Sequence, residues 1–134
     1  MNKYFSSLEE LKKNISKNPK TVLVHCHGVF DLLHIGHLNY FKEAKKLGNK
    51  LLVSITADQY VNKGIYNPHF DQITRAEVLA NINIIDYVYI NNSKTAVNLI
   101  KNIKPNFYVK GPDYKNVSND KNLSDEMNAI RTVG

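Results

Sequence analysis

Four short β-rich runs recur along the chain, separated by stretches with helical spacing, and this alternation restricts the fold more than any other feature. The runs are TVLVHC (21–26), LLVSIT (51–56), DYVYI (86–90) and NFYVK (106–110). Each has the length of a buried strand. Between them the spacing predicts helices over 35–47, 73–82 and 94–103. Leu38, Phe41 and Ala44 are expected inward on the first, and Val78, Leu79 and Ile82 are the apolar positions of the second. Ser7 to Glu10 has capping-box spacing, and Leu8, Leu11 and Ile15 follow, which predicts a helix over 8–17. A short helix is expected over 123–131. Residues 58–70, with Gly64, Asn67 and Pro68, read as an irregular loop. Strands separated by helices predict an α/β fold, a Rossmann-like parallel sheet with helices on both faces. The 134 residues suffice for one domain with a real core and are too few for two ordinary ones. The expected domain therefore runs over 1–134, with a helix inside residues 1–20 that packs on it or serves a dimer contact. Ligands of such sheets bind beyond the carboxyl ends of the strands. That rule brings residues 27–37, 56–64 and 110–115 to one edge.

The loop after the first run reads GVFDLLHIGH, from Gly28 to His37. Gly28 suits a tight turn with close backbone approach to a ligand. The loop feeds a helix N-terminus, whose free amides and dipole attract phosphate. His34 and His37 are three residues apart, so a first helical turn puts both imidazoles on one side. Gly36 between them keeps a side chain out of the way of a phosphate. This loop holds no serine or cysteine beside a base, so a covalent intermediate is not indicated. An acceptor that is itself a phosphate monoester is already an anionic nucleophile. The protein then has only to align it and stabilise charge in an in-line displacement. Lys63, from the next strand-end loop, would neutralise phosphate from the other side.

Composition removes several alternatives. The net charge is +6, almost all of it lysine, with Arg75 and Arg131 the only arginines. The lysines are scattered rather than clustered with aromatics, which argues against a nucleic-acid partner. No apolar run is long enough for a membrane span. Residues 1–20 lack the apolar segment of a signal peptide, so the expected location is the cytoplasm. The single cysteine, Cys26, agrees. His25, Cys26, His27, His34 and His37 crowd into a short stretch and raise zinc as an option. Strand alternation puts His25 and His27 on one face and Cys26 on the other, and no zinc-site spacing is present. His25 and Cys26 therefore read as packing, and His27 is close enough to the loop to matter.

GVFDLLHIGH is similar to the first signature of the cytidylyltransferase-like superfamily, whose hallmark is His-x-Gly-His. AKKLGNKLLVSITADQYV resembles the unit that follows it in glycerol-3-phosphate cytidylyltransferases and heptose-1-phosphate adenylyltransferases. Lys63-Gly64 matches the family's loop lysine, and Thr74-Arg75-Ala76-Glu77 its arginine-bearing helix. IKPNFYVKGPDY, ending at Tyr114, resembles the heptose-type group more than the glycerol-type. Class I aminoacyl-tRNA synthetases share His-Ile-Gly-His but need a longer chain and a Lys-Met-Ser-Lys-Ser loop. The resemblance implies transfer of a nucleoside monophosphate from ATP or CTP to a phosphorylated sugar or polyol, with release of pyrophosphate. It implies that His34 and His37 stabilise the triphosphate and the transition state and that Lys63 contacts phosphate. It further implies that Gly28, Val29, Phe30, Asp31, Gly36, Lys110, Gly111 and Asp113 line the nucleotide site. Arg75 would contact phosphate or acceptor; by its own chemistry it could equally pair with a surface acid. Magnesium would accompany the triphosphate, held by phosphate oxygens and water, and a homodimer is common in the family.

The family normally carries a later Ser/Thr-rich turn before a final helix. The sequence reaches Thr132-Val133-Gly134 without one. The expectation is either a piece of a longer enzyme, such as one fused to a sugar kinase, or a catalytically incomplete nucleotide-binding or regulatory module.

Overall fold

The computed structural model describes residues 3–61 and 68–111. Its strands are β1 (Tyr4–Phe5), β2 (Leu23–Gly28), β3 (Lys50–Thr56), β4 (Tyr87–Asn91) and β5 (Phe107–Tyr108). Its helices are α1 (Leu8–Ser16), α2 (Ile35–Lys45), α3 (Gln72–Ala80) and α4 (Val97–Ile103), with a 3-10 turn at Asp58–Tyr60. The five strands form one sheet in the order β1-β4-β3-β2-β5. Every pairing is parallel. This is the expected Rossmann-like α/β arrangement. The helix expected over 123–131 lies outside the described residues.

Helices cover both faces. Val24, Cys26, Val53, Ile55, Val88 and Ile90 pack with Phe41 and Ala44 of α2 and Ala76 and Leu79 of α3. On the other face Leu23, Leu52 and Tyr89 pack with Leu11 of α1 and Leu99 of α4. Burial on both sides explains why β2 and β3 read as near-continuous apolar runs. The two faces differ toward the carboxyl edge. The α2/α3 face stays apolar to its end. The other face changes from Leu23 to His25 and His27 on β2, from Leu52 to Ser54 and Thr56 on β3, and ends in Asn91 on β4. The register places His27 beside Ser54, and Thr56 beside Asn91.

Two features go beyond the expectations from sequence. The two-residue strand β1 was absent from the sequence reading; it exists because β4 offers an open edge, where the Val88 amide donates to the Lys3 carbonyl. On α3 the inward stripe is Gln72, Arg75, Ala76 and Leu79, while Val78 is 48% exposed. An arginine on the buried stripe disguised the helical period. No helix among the described residues is long and apolar enough to cross a membrane.

Candidate active site

The start of α2 is built by its own histidines. His34 is the N-cap residue, and its Nδ1 accepts a hydrogen bond from the Gly36 amide at 3.0 Å. The His34 amide donates to Nδ1 of His37 at 3.2 Å. Together they form a capping box in which imidazoles replace the usual hydroxyl and carboxylate. A neutral imidazole whose Nδ1 accepts must carry its proton on Nε2. Backbone capping therefore sets the tautomer of both rings and leaves each with an Nε2–H donor. The rings lie 4.2 Å apart between centroids, tilted by 53°. A Cβ on Gly36 would fall 2.7 Å from Cε1 of His34. Gly36 is thus required first by the capping ring, before any ligand is considered.

The loop before α2 is tightly folded. Phe30, not Gly28, holds the left-handed conformation, with φ of 51°. Such a backbone costs a bulky residue about 1–3 kcal/mol and persists only where the surroundings enforce it. Here the Phe30 ring packs on His37 at 5.9 Å and on Phe41 at 5.2 Å. It also covers Gly28, where a Cβ would lie 2.9 Å from Cζ of Phe30. Asp31 directs its carboxylate sideways, accepting the amides of His69 at 2.6 Å and Phe70 at 2.9 Å. Burial works to raise the Asp31 pKa, but those amides, with His69 and Arg75 nearby, outweigh it and hold the group below its usual range.

Arg75 is enclosed. Its Nη1 donates to the carbonyls of Val29 and Thr56, both at 2.9 Å. Its Nε donates to the Phe70 carbonyl at 3.0 Å, and its Nη2 pairs with Asp58 at 2.6 Å. The side chain is 0% exposed. The direct ligand contact implied by resemblance is therefore not what this arrangement presents. A guanidinium can satisfy several carbonyls at once, so it fixes the loop after β2 to the end of β3. Its partner is an acid, as the alternative reading had it, although the pair is sealed on the arginine side.

Beneath the loop, His25 and His27 share the Ser54 hydroxyl, at 2.7 Å and 2.6 Å. His27 Nε2 lies 3.4 Å from the Thr56 hydroxyl. Cys26 faces the opposite core, as strand alternation requires. Burial pushes its thiol pKa up to about 12, against a smaller lowering by Tyr40. The Tyr40 hydroxyl donates to the Val109 carbonyl at 2.5 Å, which brings the end of β5 to α2. Lys110 sits over the Tyr108 ring, 4.7 Å from its centroid. Gly111 lies against Tyr40, 3.6 Å from the ring at the Cβ position.

The fold thus gathers Gly28–Asp31, His34, Gly36, His37, Lys110 and Gly111 at the carboxyl edge. Lys63 and Asp113 lie outside the described residues. Ser54, Thr56 and Asp58 were not singled out from sequence. For Ser54 and Thr56 the available signal was two polar residues at alternate positions in the carboxyl half of an otherwise apolar strand. Asp58 also borders a cleft of about 440 Å³ with Gln59, Asp71, Gln72, Ile73 and Asn92. Among the described residues no group of three or more His, Cys, Asp or Glu could hold a metal ion.

Residues 25–134 match the cytidylyltransferase-like family. The bifunctional protein HldE of Campylobacter concisus is 42% identical over 111 residues, covering 81% of this chain and 24% of that relative. HldE of Aliarcobacter butzleri is 37% identical over 139 residues, covering 98% of this chain and 29% of that relative. The chain therefore spans between 24% and 29% of the length of these two curated relatives. The crystal structure of the lipopolysaccharide core biosynthesis protein from Thermoplasma volcanium superposes with a TM-score of 0.71 at 28% identity, covering 85% of this chain and 89% of that one. With the helix-capping histidine pair at the carboxyl edge of a parallel sheet, and a family match over most of its length, the chain belongs to the cytidylyltransferase-like family.

Proposed function

We propose that this domain transfers a nucleoside monophosphate from ATP or CTP to a phosphorylated sugar or polyol and releases pyrophosphate. The observation that carries the reading is the capping arrangement of His34 and His37. Their Nδ1 atoms are committed to backbone amides, so two Nε2–H donors stand together at a helix N-terminus. In the proposed reaction an acceptor phosphate oxygen attacks the α-phosphorus. One P–O bond forms as the bond to the pyrophosphate oxygen breaks, and the electron pair leaves with pyrophosphate. Negative charge builds on the α-phosphoryl oxygens, where preformed N–H donors are most effective. An anionic acceptor needs no general base, which suits rings that cannot accept a proton at Nδ1 without losing the cap.

The supporting parts take the roles their positions allow. Gly28, Val29, Phe30, Asp31 and Gly36 form the nucleotide-facing loop, and Lys110, Gly111 and Asp113 border the nucleotide. Lys63 supplies positive charge to the phosphates. Arg75 acts by holding Val29 and Thr56 rather than by touching phosphate. Asp31 commits both carboxylate oxygens to backbone amides. Magnesium enters on the triphosphate, held by phosphate oxygens and water. The HldE relatives and the lipopolysaccharide-related structural neighbour favour a sugar phosphate as acceptor.

The test is a pyrophosphate-release screen of the full-length gene product over ATP and CTP with a panel of sugar 1-phosphates. Turnover with at least one pair is the expected result. Nucleotide binding by calorimetry without turnover on any pair would replace this reading with that of a regulatory or binding module.

A further inference from the structure

Four polar side chains on the α1/α4 face of the sheet take no part in the proposed transfer. They are linked. His25 Nε2 lies 2.7 Å from Ser54 Oγ, and that oxygen lies 2.6 Å from His27 Nδ1. His27 Nε2 lies 3.4 Å from Thr56 Oγ1. The run starts inside β2 and finishes at the last residue of β3, on the carboxyl edge. Ser54 has one hydroxyl hydrogen and two imidazole neighbours, so it donates to one ring and accepts from the other. A neutral imidazole carries a single N–H. Choosing the direction at Ser54 therefore orders every bond in the run.

Two directions exist. Running outward, His25 Nε2–H donates to Ser54, Ser54 donates to His27 Nδ1, and His27 Nε2–H donates to Thr56. The Thr56 hydroxyl hydrogen is then left over at the edge. Running inward, Thr56 donates to His27 and the last N–H falls on His25 Nδ1. That atom is buried with no hydrogen-bond partner, and stranding an N–H in a core is a rare arrangement. His25 packs edge-on with Tyr108, whose ring also carries the Lys110 ammonium. The 3.4 Å final contact exceeds the range of a hydroxyl donor by more than that of a ring N–H. Burial, with a smaller contribution from His27, also keeps His25 well below its ordinary pKa, so the ring is neutral.

Thr56 is placed to use the leftover hydrogen. Its carbonyl and that of Val29 lie 2.9 Å from one Arg75 nitrogen. The end of β3 is thus fastened beside the loop that precedes the capping histidines. We infer that His25, Ser54, His27 and Thr56 form a one-way hydrogen-bond relay that presents the Thr56 hydroxyl as a donor to a phosphate oxygen of the ligand. No proton changes owner in this arrangement; the buried residues orient a hydroxyl. Thr56 would be a ligand-binding residue, and His25, Ser54 and His27 positioning residues. The inference rests on the proposed phosphate ligand.

Two measurements on the full-length gene product test it. Histidine-selective 15N NMR at neutral pH should show His25 and His27 both neutral with the proton on Nε2; an Nδ1–H form of either ring overturns the relay. Calorimetric titration with inorganic pyrophosphate should give about tenfold weaker binding for Thr56→Val, the size of one hydrogen bond to a charged group, and near-wild-type binding for Thr56→Ser. Ser54→Ala, which keeps Thr56 but removes its orientation, should fall between. Equal affinity of Thr56→Val and wild type overturns the relay, as does absence of pyrophosphate binding by wild type. The two readings fail separately. Nucleotidyl transfer with Thr56-independent pyrophosphate binding sinks the relay alone. Thr56-dependent binding without transfer sinks the nucleotidyltransferase reading alone.

Discussion

His25 and His27 differ from His34 and His37 in almost everything except residue type. The first pair is spaced by two on a strand, and both side chains are buried on one face of the sheet. The second is spaced by three across a helix start and stands at the protein surface. In each pair the local period brings the rings together: alternation on β2, the first turn on α2. What separates them is the group that takes Nδ1. For His34 and His37 it is the backbone of their own helix, which any helix start would offer. For His27 it is the Ser54 hydroxyl on the neighbouring strand, and His25 Nδ1 has no hydrogen-bond partner. The surface pair is self-assembled from its own helix start. The buried pair depends on its sheet.

That contrast predicts opposite consequences of mutation. His37→Ala removes an Nε2–H donor, and turnover in the pyrophosphate-release assay should fall by about 10²–10³-fold. Its unfolding free energy should move by only about 1 kcal/mol, the scale of a lost cap. Unchanged turnover would contradict the role given to this ring.

Arg75→Met touches both regions at once, because one side chain holds Val29 beside one pair and Thr56 beside the other. It leaves buried carbonyls without donors, and denaturant unfolding should show a loss of about 3 kcal/mol. If stability barely moves while pyrophosphate affinity collapses, the arginine is a ligand contact after all.

The buried pair should also report in acid. His25 is held below its ordinary pKa of 6.5 by burial. Below that value the unfolded chain binds a proton that the folded chain refuses, so stability is full above it and declines as pH falls. Denaturant midpoints measured from neutral pH downward should show this slope in wild type and a shallower one in His25→Leu. The smallest effect belongs to Gly36→Ala. Its Cβ would displace the capping ring of His34, with a loss of about 1 kcal/mol of stability. A larger relative drop in turnover than in stability would show that ring placement matters beyond the cap.

Much of this was legible in the sequence. The strand and helix positions of the α/β fold follow from apolar period, and the face assignment of His25, Cys26 and His27 follows from alternation alone. The pairing of His34 with His37 follows from a spacing of three. Other features were hidden because the responsible partner is distant in the chain. Arg75 looks like a surface helix residue until Val29, Thr56 and Phe70 are brought around it. The strand at Tyr4–Phe5 has no period of its own and exists because β4 offers an edge. The left-handed backbone at Phe30 appears beside a glycine that would have been the natural candidate, because the aromatic ring is held by His37 and Phe41.

The sequence by itself determined the order of elements and the place of the stretch from Gly28 to His37 at the carboxyl edge of the sheet. These depend on residues close together in the chain, where period and capping act directly. Only the tertiary structure decided that Arg75 is a clamp, and that Ser54 and Thr56 extend the buried histidines to the carboxyl edge. Those roles are fixed by which carbonyl or hydroxyl stands opposite a side chain across the sheet, and no local rule carries that information.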